Sequence, residues 1–342
     1  MSASSLAIVS TGLVTAVGLS APSSCAAIRA KLTNPSETRF VDSGGRWIMA
    51  HQVPLERPWG GLTRLARMAS MAIEEAMGDL PTTEWHTTPV LLCVAEPERP
   101  GRIEGLDDRL WIDIQRLLNV RFASESAVVP HGRIAVAVAL SQARALISQS
   151  GVERVLIVAT DSLLSWPTLG HYEQCDRLLT QDNADGFMPG EGAGAFLVER
   201  PKGAAQLGCI GLGFGAELAS IESDHPQRAD GLTHAINVAL ADAGCYIHEM
   251  DLRIADLSGE QYYFKEATLA LLRTLRKRKE EFDVWHPAEC TGEAGSVAGC
   301  VVVALADAAC RKGYAKGSHI LTHLTNDGGQ RAAIALRYGG AR

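Results

Sequence analysis

Along the 342-residue chain, short dense apolar runs alternate with longer stretches of helical spacing. Residues 6–11 form a short apolar run closed by Gly12, which predicts a strand. Residues 90–94 and 155–159 are continuously apolar, the pattern of strands at the centre of a sheet. Further strands are expected at 193–199, 207–214, 252–257, 319–325 and 332–336. Helical periodicity covers 23–30, 62–77, 106–118, 134–148, 232–243, 266–279 and 295–312. The segment 34–61 is polar, contains Gly and Pro, and reads as irregular. Residues 134–148 carry alanine at 135, 137, 139, 143 and 145, so that helix should be buried and closely packed by its neighbours.

The order of elements restarts near residue 205. Two α/β halves, 1–204 and 205–342, each with one small-residue helix, predict a duplicated α/β sandwich. No Gly/Ser or Pro linker separates them, so one compact body is expected.

Composition narrows the partners. A net charge of −7 favours neither nucleic acid nor an anionic membrane. The one basic run, Arg276-Lys277-Arg278-Lys279, closes the expected helix 266–279 and reads as a solvated C-terminus favoured by the helix dipole. The alternative is a docking patch for an acidic carrier protein. The eight cysteines show no CxxC pair and no ligand-like spacing with histidine, so no metal site is expected. They fit buried free thiols in a reducing cytoplasm. His319 and His323, four apart on one strand, and His286 beside Trp285 read as structural. Residues 6–21 are apolar, but no Lys or Arg precedes them and Gly12, Thr15 and Gly18 interrupt them, so they read as strand and turn. No run reaches transmembrane length.

Several segments occur in the order of one family. They are Ile8-Val9-Ser10-Thr11-Gly12-Leu13-Val14-Thr15-Ala16-Val17-Gly18, the run 155–164, and Asp185-Gly186-Phe187-Met188-Pro189-Gly190-Glu191-Gly192-Ala193-Gly194-Ala195. Ala239-Leu240-Ala241-Asp242-Ala243-Gly244, Gly292-Glu293-Ala294-Gly295 and Asn326-Asp327-Gly328-Gly329 complete the set. Together they resemble the β-ketoacyl synthases of the thiolase superfamily across nearly the whole chain, with surface insertions trimmed. The resemblance implies an αβαβα layered sandwich, acyltransferase chemistry in fatty acid or polyketide biosynthesis, and no cofactor. It also implies a symmetric dimer, or a heterodimer with a related synthase, and acyl-CoA or acyl carrier protein as partner. Gly190, Gly192 and Gly194 recur every second residue, so one face of that backbone lacks side chains and another element must approach it closely. Tight packing and the wall of an acyl cavity are both compatible with that pattern.

Family chemistry needs a thiolate at the N-terminus of the buried helix, where the helix dipole lowers the thiol pKa, and two histidines. Just before Ile134 stand His131, Gly132 and Arg133, with no cysteine or serine; His131 or Arg133 holds the nucleophile's place. Ser258 holds the first histidine's place. Glu289, three residues before Gly292, holds the second. Three altered positions predict that condensation is abandoned and that the chain acts as a partner, scaffold or modulator, as degenerate synthase subunits do. Thiolase-like proteins without the triad also accompany bacterial secretion-effector loci. Two alternatives stand beside this. Cys290 could be a replacement nucleophile with Glu289 or His131 as base, giving an acyltransferase or thioesterase; equally it is one buried thiol among eight. Or the protein binds acyl chains without turnover, in a pocket that Trp285 and shortened loops could instead fill.

Overall fold

The computed structural model describes residues 5–203 and 205–339. Its strands are β1 (Leu6–Val14), β2 (Ser36–Val41), β3 (Trp47–Ala50), β4 (Val90–Cys93), β5 (Ala127–Val129) and β6 (Arg154–Ser162). They continue with β7 (Glu191–Glu199), β8 (Gln206–Ala216), β9 (Leu252–Ala255), β10 (Val284–Trp285), β11 (His319–Thr325) and β12 (Gln330–Gly339). Ten of them run in the order β10-β9-β11-β12-β8-β1-β7-β6-β4-β5. From β1 outward the pairings are antiparallel, antiparallel, parallel, parallel. From β8 outward the same four pairings recur. Three antiparallel residue pairs, from Leu6 with Cys209 to Ile8 with Leu207, join the two runs.

The pleat explains the layers. Along β6, Leu156 and Val158 face an outer cluster with the helix Gly61–Met77, whereas Ile157 and Ala159 face an inner one. Along β11, Leu321 faces an outer cluster with the helix Asp230–Ala243, whereas Ile320 and Leu324 point inward. Both inner faces meet the helices Ala135–Gln149 and Ala298–Arg311. Helix, sheet, helix pair, sheet, helix is the αβαβα sandwich. The small residues do what the pattern requires. A Cβ on Gly299 would lie 2.5 Å from Cβ of Val136, so the two middle helices touch where one has no side chain. A Cβ on Gly190 would meet the carbonyl of Thr291 at 2.5 Å, and one on Gly194 would meet Cβ of Cys300 at 2.4 Å. The alternating glycines therefore serve close packing by the Thr291–Gly292 turn and the helix Ala298–Arg311.

Three expectations need correction. The segment 34–61 contains the β2–β3 hairpin, with Arg46 tied to Asp42 at 3.0 Å across its turn. A helix at Trp166–Gln174 was not predicted; Ser165 caps it, accepting from Thr168 N at 3.3 Å. The helix expected at 266–279 spans Gln261–Thr274 and stops because Leu275 turns extended (φ −78°, ψ 107°) and packs into the outer cluster. The basic run is therefore not a helix end. Lys279 is half-buried and donates to the carbonyls of His248, at 3.1 Å, and Met250. Among the described residues no helix is long and apolar enough to cross a membrane.

Candidate functional site

Both middle helices start in the same way. A glycine in the left-handed region, Gly132 (φ 54°) or Gly295 (φ 56°), opens a tight turn, Gly132–Ile134 or Gly295–Val297, that runs on into the helix. A carboxylate presses on each glycine. A Cβ on Gly132 would lie 2.0 Å from Glu96 Oε2, and one on Gly295 would lie 2.0 Å from Asp161 Oδ2.

Between these two starts lies a buried ionic network. Arg133 donates to Glu293 at 3.0 Å, to the Tyr263 hydroxyl at 2.9 Å, and to Asp327. Arg177 forks onto Glu260 (2.7 and 2.9 Å) and reaches Asp327 at 2.9 and 3.1 Å. Tyr263 and Tyr172 add hydroxyl donors to Asp327 at 2.5 and 3.1 Å. Arg99 forks onto Glu96 at 2.8 Å twice and lies 3.5 Å from Asp161. Glu293 also accepts from Gly295 N at 3.0 Å, which links the network to the second helix start. The cavity left among Glu96, Arg99, Arg133, Tyr172, Arg177 and Asp327 measures about 10 Å³, room for one water at most.

Electrostatics follow from burial and pairing. Burial opposes charge at Asp327, but Arg133 and Arg177 outweigh it and hold its carboxyl well below the usual range. Asp161 and Glu260 are pushed up, chiefly by burial. Asp256, next to β9, accepts from Thr325 N at 2.6 Å. Burial, aided by nearby Glu293, pushes it up to about 7. Three guanidinium groups held by carboxylates orient and fix; none can attack a thioester. The residues lining the cavity include no cysteine, serine or histidine.

The predicted site residues separate. Arg133 sits at the centre of the network, whereas His131 is exposed and only its carbonyl takes part, accepting from Asn326 at 2.9 Å. Of the two that could hold the nucleophile's place, Arg133 is the one aimed inward. Glu289 faces outward to Lys31 at 3.2 Å and His286 at 3.9 Å. Its near neighbour Glu293 is the inward carboxylate, because Gly292 (φ 71°) reverses the chain between them. Cys290 is buried against the core, and burial raises its thiol to about 11, the reverse of activation. The Ser258 hydroxyl is buried without a hydrogen-bond partner in the described structure. Trp285 stacks on Tyr314 at 6.1 Å and does not line the cavity in the ionic network. Arg177, Glu260 and Asp327 were not singled out; only Asp327, within Asn326-Asp327-Gly328-Gly329, carried a signal. The view that no cysteine has ligand-like spacing with histidine also fails. His171, on the unpredicted helix, and Cys175, its C-cap, stand four apart, with Glu222 nearby.

No protein-family model matches the chain. Among curated proteins, a putative polyketide β-ketoacyl synthase 2 of Streptomyces cyaneus is 32% identical over 126 residues, covering 36% of this chain and 30% of the relative. Its namesake in Streptomyces coelicolor is 29% identical over 190 residues, covering 49% and 43%. The match thus spans less than half of these relatives. Among solved structures, the ishigamide ketosynthase/chain length factor superposes with TM-score 0.80 at 18% identity, over 98% of this chain and 99% of that one. A type II polyketide synthase acyl-carrier protein in complex with its ketosynthase bound to the hexaketide gives 0.80 at 16%, over 97% and 98%. A β-ketoacyl synthase of Burkholderia phymatum gives 0.73 at 14%, over 98% and 99%.

Proposed function

For this chain, which has the thiolase-like fold of the β-ketoacyl synthases, we propose the role of a non-catalytic subunit that pairs with a related, catalytically complete synthase. The observation that carries the reading is the ionic plug. Arg133, at the start of the first middle helix, fills with Asp327, Arg177 and Glu293 the space between the two helix starts, which the family resemblance would assign to the thioester. A condensing enzyme needs a nucleophile and proton-transfer groups within hydrogen-bond reach of that thioester. Pairing is supported by the place of β5, the last strand of the sheet, directly before Gly132. Among the described residues no strand pairs with its outer edge, where a second sheet could continue. The repeated strand order supports reading 1–204 and 205–342 as duplicated halves of one body. The ketosynthase/chain length factor neighbour supports a heterodimer, and the carrier-protein complex supports carrier protein as a further partner.

The test is intact-protein mass after incubation with a panel of acyl-CoA and acyl-carrier thioesters, beside co-expression with a synthase that has Cys-His-His. The expected result is no acyl adduct, no thioester loss, and a one-to-one complex by light scattering. A stoichiometric adduct mapped to Cys290 would overturn the reading and make the protein an acyltransferase or thioesterase.

A further inference from the structure

The helix Trp166–Gln174 that supplies Tyr172 to the plug carries a second set of side chains. His171 and Cys175 stand four residues apart, so they stack one turn above the other. Cys175 Sγ lies 3.8 Å from His171 Nε2. Glu222 comes from the segment between β8 and the helix Asp230–Ala243. It brings Oε1 to 3.9 Å from the same nitrogen. The three ligand atoms lie within 4.8 Å of one another.

We propose that His171, Cys175 and Glu222 form a binding site for a borderline divalent transition ion, zinc above all, with a fourth position open to water. Geometry and chemistry both argue for it. Ligands held 2.0–2.3 Å from a tetrahedral ion stand about 3.3 to 3.6 Å apart. Rotations of the half-exposed His171 and the exposed Cys175 and Glu222 would bring the observed 3.8 and 3.9 Å, and the third pair within 4.8 Å, to that spacing. One sulfur, one imidazole nitrogen and one carboxylate oxygen select zinc and its transition neighbours over magnesium and calcium, which take all-oxygen sets. Binding forms the sulfur–metal bond as the thiolate and releases the thiol proton to water. The ion would staple the segment carrying Glu222 to the helix whose next residue, Tyr172, donates to Asp327. The site draws one segment from each half of the chain, 1–204 and 205–342, and His171 adjoins Tyr172 of the plug.

Cobalt(II) titrated into the full chain tests the site, because a thiolate–cobalt bond adds a charge-transfer absorption in the near ultraviolet. We expect one equivalent to bind, the band to vanish on adding zinc, and Cys175→Ser to abolish it. His171→Ala and Glu222→Gln should each weaken binding by about tenfold or more. Zinc should slow proteolysis near Glu222 in the wild type and not in Glu222→Gln. Of the other seven cysteines, Cys245 and Cys310 are half-buried and the rest are buried, so two thiols compete for the ion and Cys175→Ser separates them from the site. Absence of a thiolate band, or a band that survives Cys175→Ser, overturns the proposal.

Discussion

The two middle helices begin alike and then diverge at one residue. After Gly132 comes Arg133; after Gly295 comes Ser296. The Ser296 hydroxyl closes locally, donating to the carbonyls of Cys93 and Thr160 at 3.3 and 3.4 Å. Arg133 instead sends a buried charge across the space between the helices to Glu293, Asp327 and Tyr263. A duplicated fold supplies two equivalent helix starts, and the side chain after the glycine decides which of them governs the interior. At one start the side chain after the glycine makes neutral hydrogen bonds to backbone carbonyls. At the other, a set of buried ionisable side chains must be satisfied together.

The largest effect should come from breaking that asymmetry. Arg133→Met keeps the bulk of the side chain but leaves Glu293 without its guanidinium partner and Asp327 with only Arg177. Losing one partner of a buried ion pair costs about 3 to 5 kcal/mol. Ser296→Ala removes neutral hydrogen bonds to carbonyls and should cost about 1 kcal/mol. Urea denaturation of both variants at pH 7 checks the contrast; equal losses would show that the network is no more than a set of surface-like contacts.

A second prediction uses Asp256, on the Arg133 side only. Its carboxyl is raised from 3.8 to about 7, so the folded protein holds a proton that the unfolded chain has released. Between about pH 4 and 7 the folded state binds more protons, so stability falls as pH rises, by up to about 4 kcal/mol across the window. Below pH 4 the penalty is absent, and above 7 it is complete. Asp256→Asn should flatten that part of the profile, measured as wild type minus variant at each pH. An unchanged slope would sink the assignment. The difference matters because His51 and His323, pushed down by burial to about 4 and about 3, act in the opposite direction as pH falls below about 6.5.

Much of this was legible in the sequence. Apolar runs gave the central strands, and alternating glycines gave the close approach to β7. The ordered motifs gave the fold. Arg133 was visible too, as one of two candidates for the nucleophile's place, though not separable from His131, because side-chain direction depends on the tight turn at Gly132. Spacing pointed to Glu289, and only the reversal at Gly292 reveals that Glu293 faces inward. The remaining partners were out of reach because they are distant in the chain. Arg133 meets Asp327 across 194 residues and Arg177 meets Glu260 across 83, pairings fixed by topology and not by any local pattern. The helix Trp166–Gln174 escaped because Pro167 and Gly170 interrupt its periodicity. With it went the spacing of His171 and Cys175.

The smallest effect sharpens the comparison at the glycines themselves. An alanine at either position is strained, since φ near +55° costs a non-glycine residue about 1 to 3 kcal/mol. The two ends differ in how their neighbours can yield to the added methyl group. At Gly132 the new Cβ meets Glu96, a longer side chain with 17% of its surface exposed, which is held by the Arg99 fork and yields together with that side chain. At Gly295 it meets Asp161, with 5% exposed. The Asp161 oxygens accept from the backbone of Ser296 and Ser162, each at 2.9 Å, so that carboxylate cannot retreat without orphaning two N–H groups, one of them buried. Gly295→Ala should therefore cost about 1 kcal/mol more than Gly132→Ala, in line with the loss of one such hydrogen bond. Denaturation midpoints at equal slope measure the difference. The reverse order would mean that the Arg133 end is the more rigid of the two, and that the charged network, not the backbone-anchored carboxylate, sets the local stiffness.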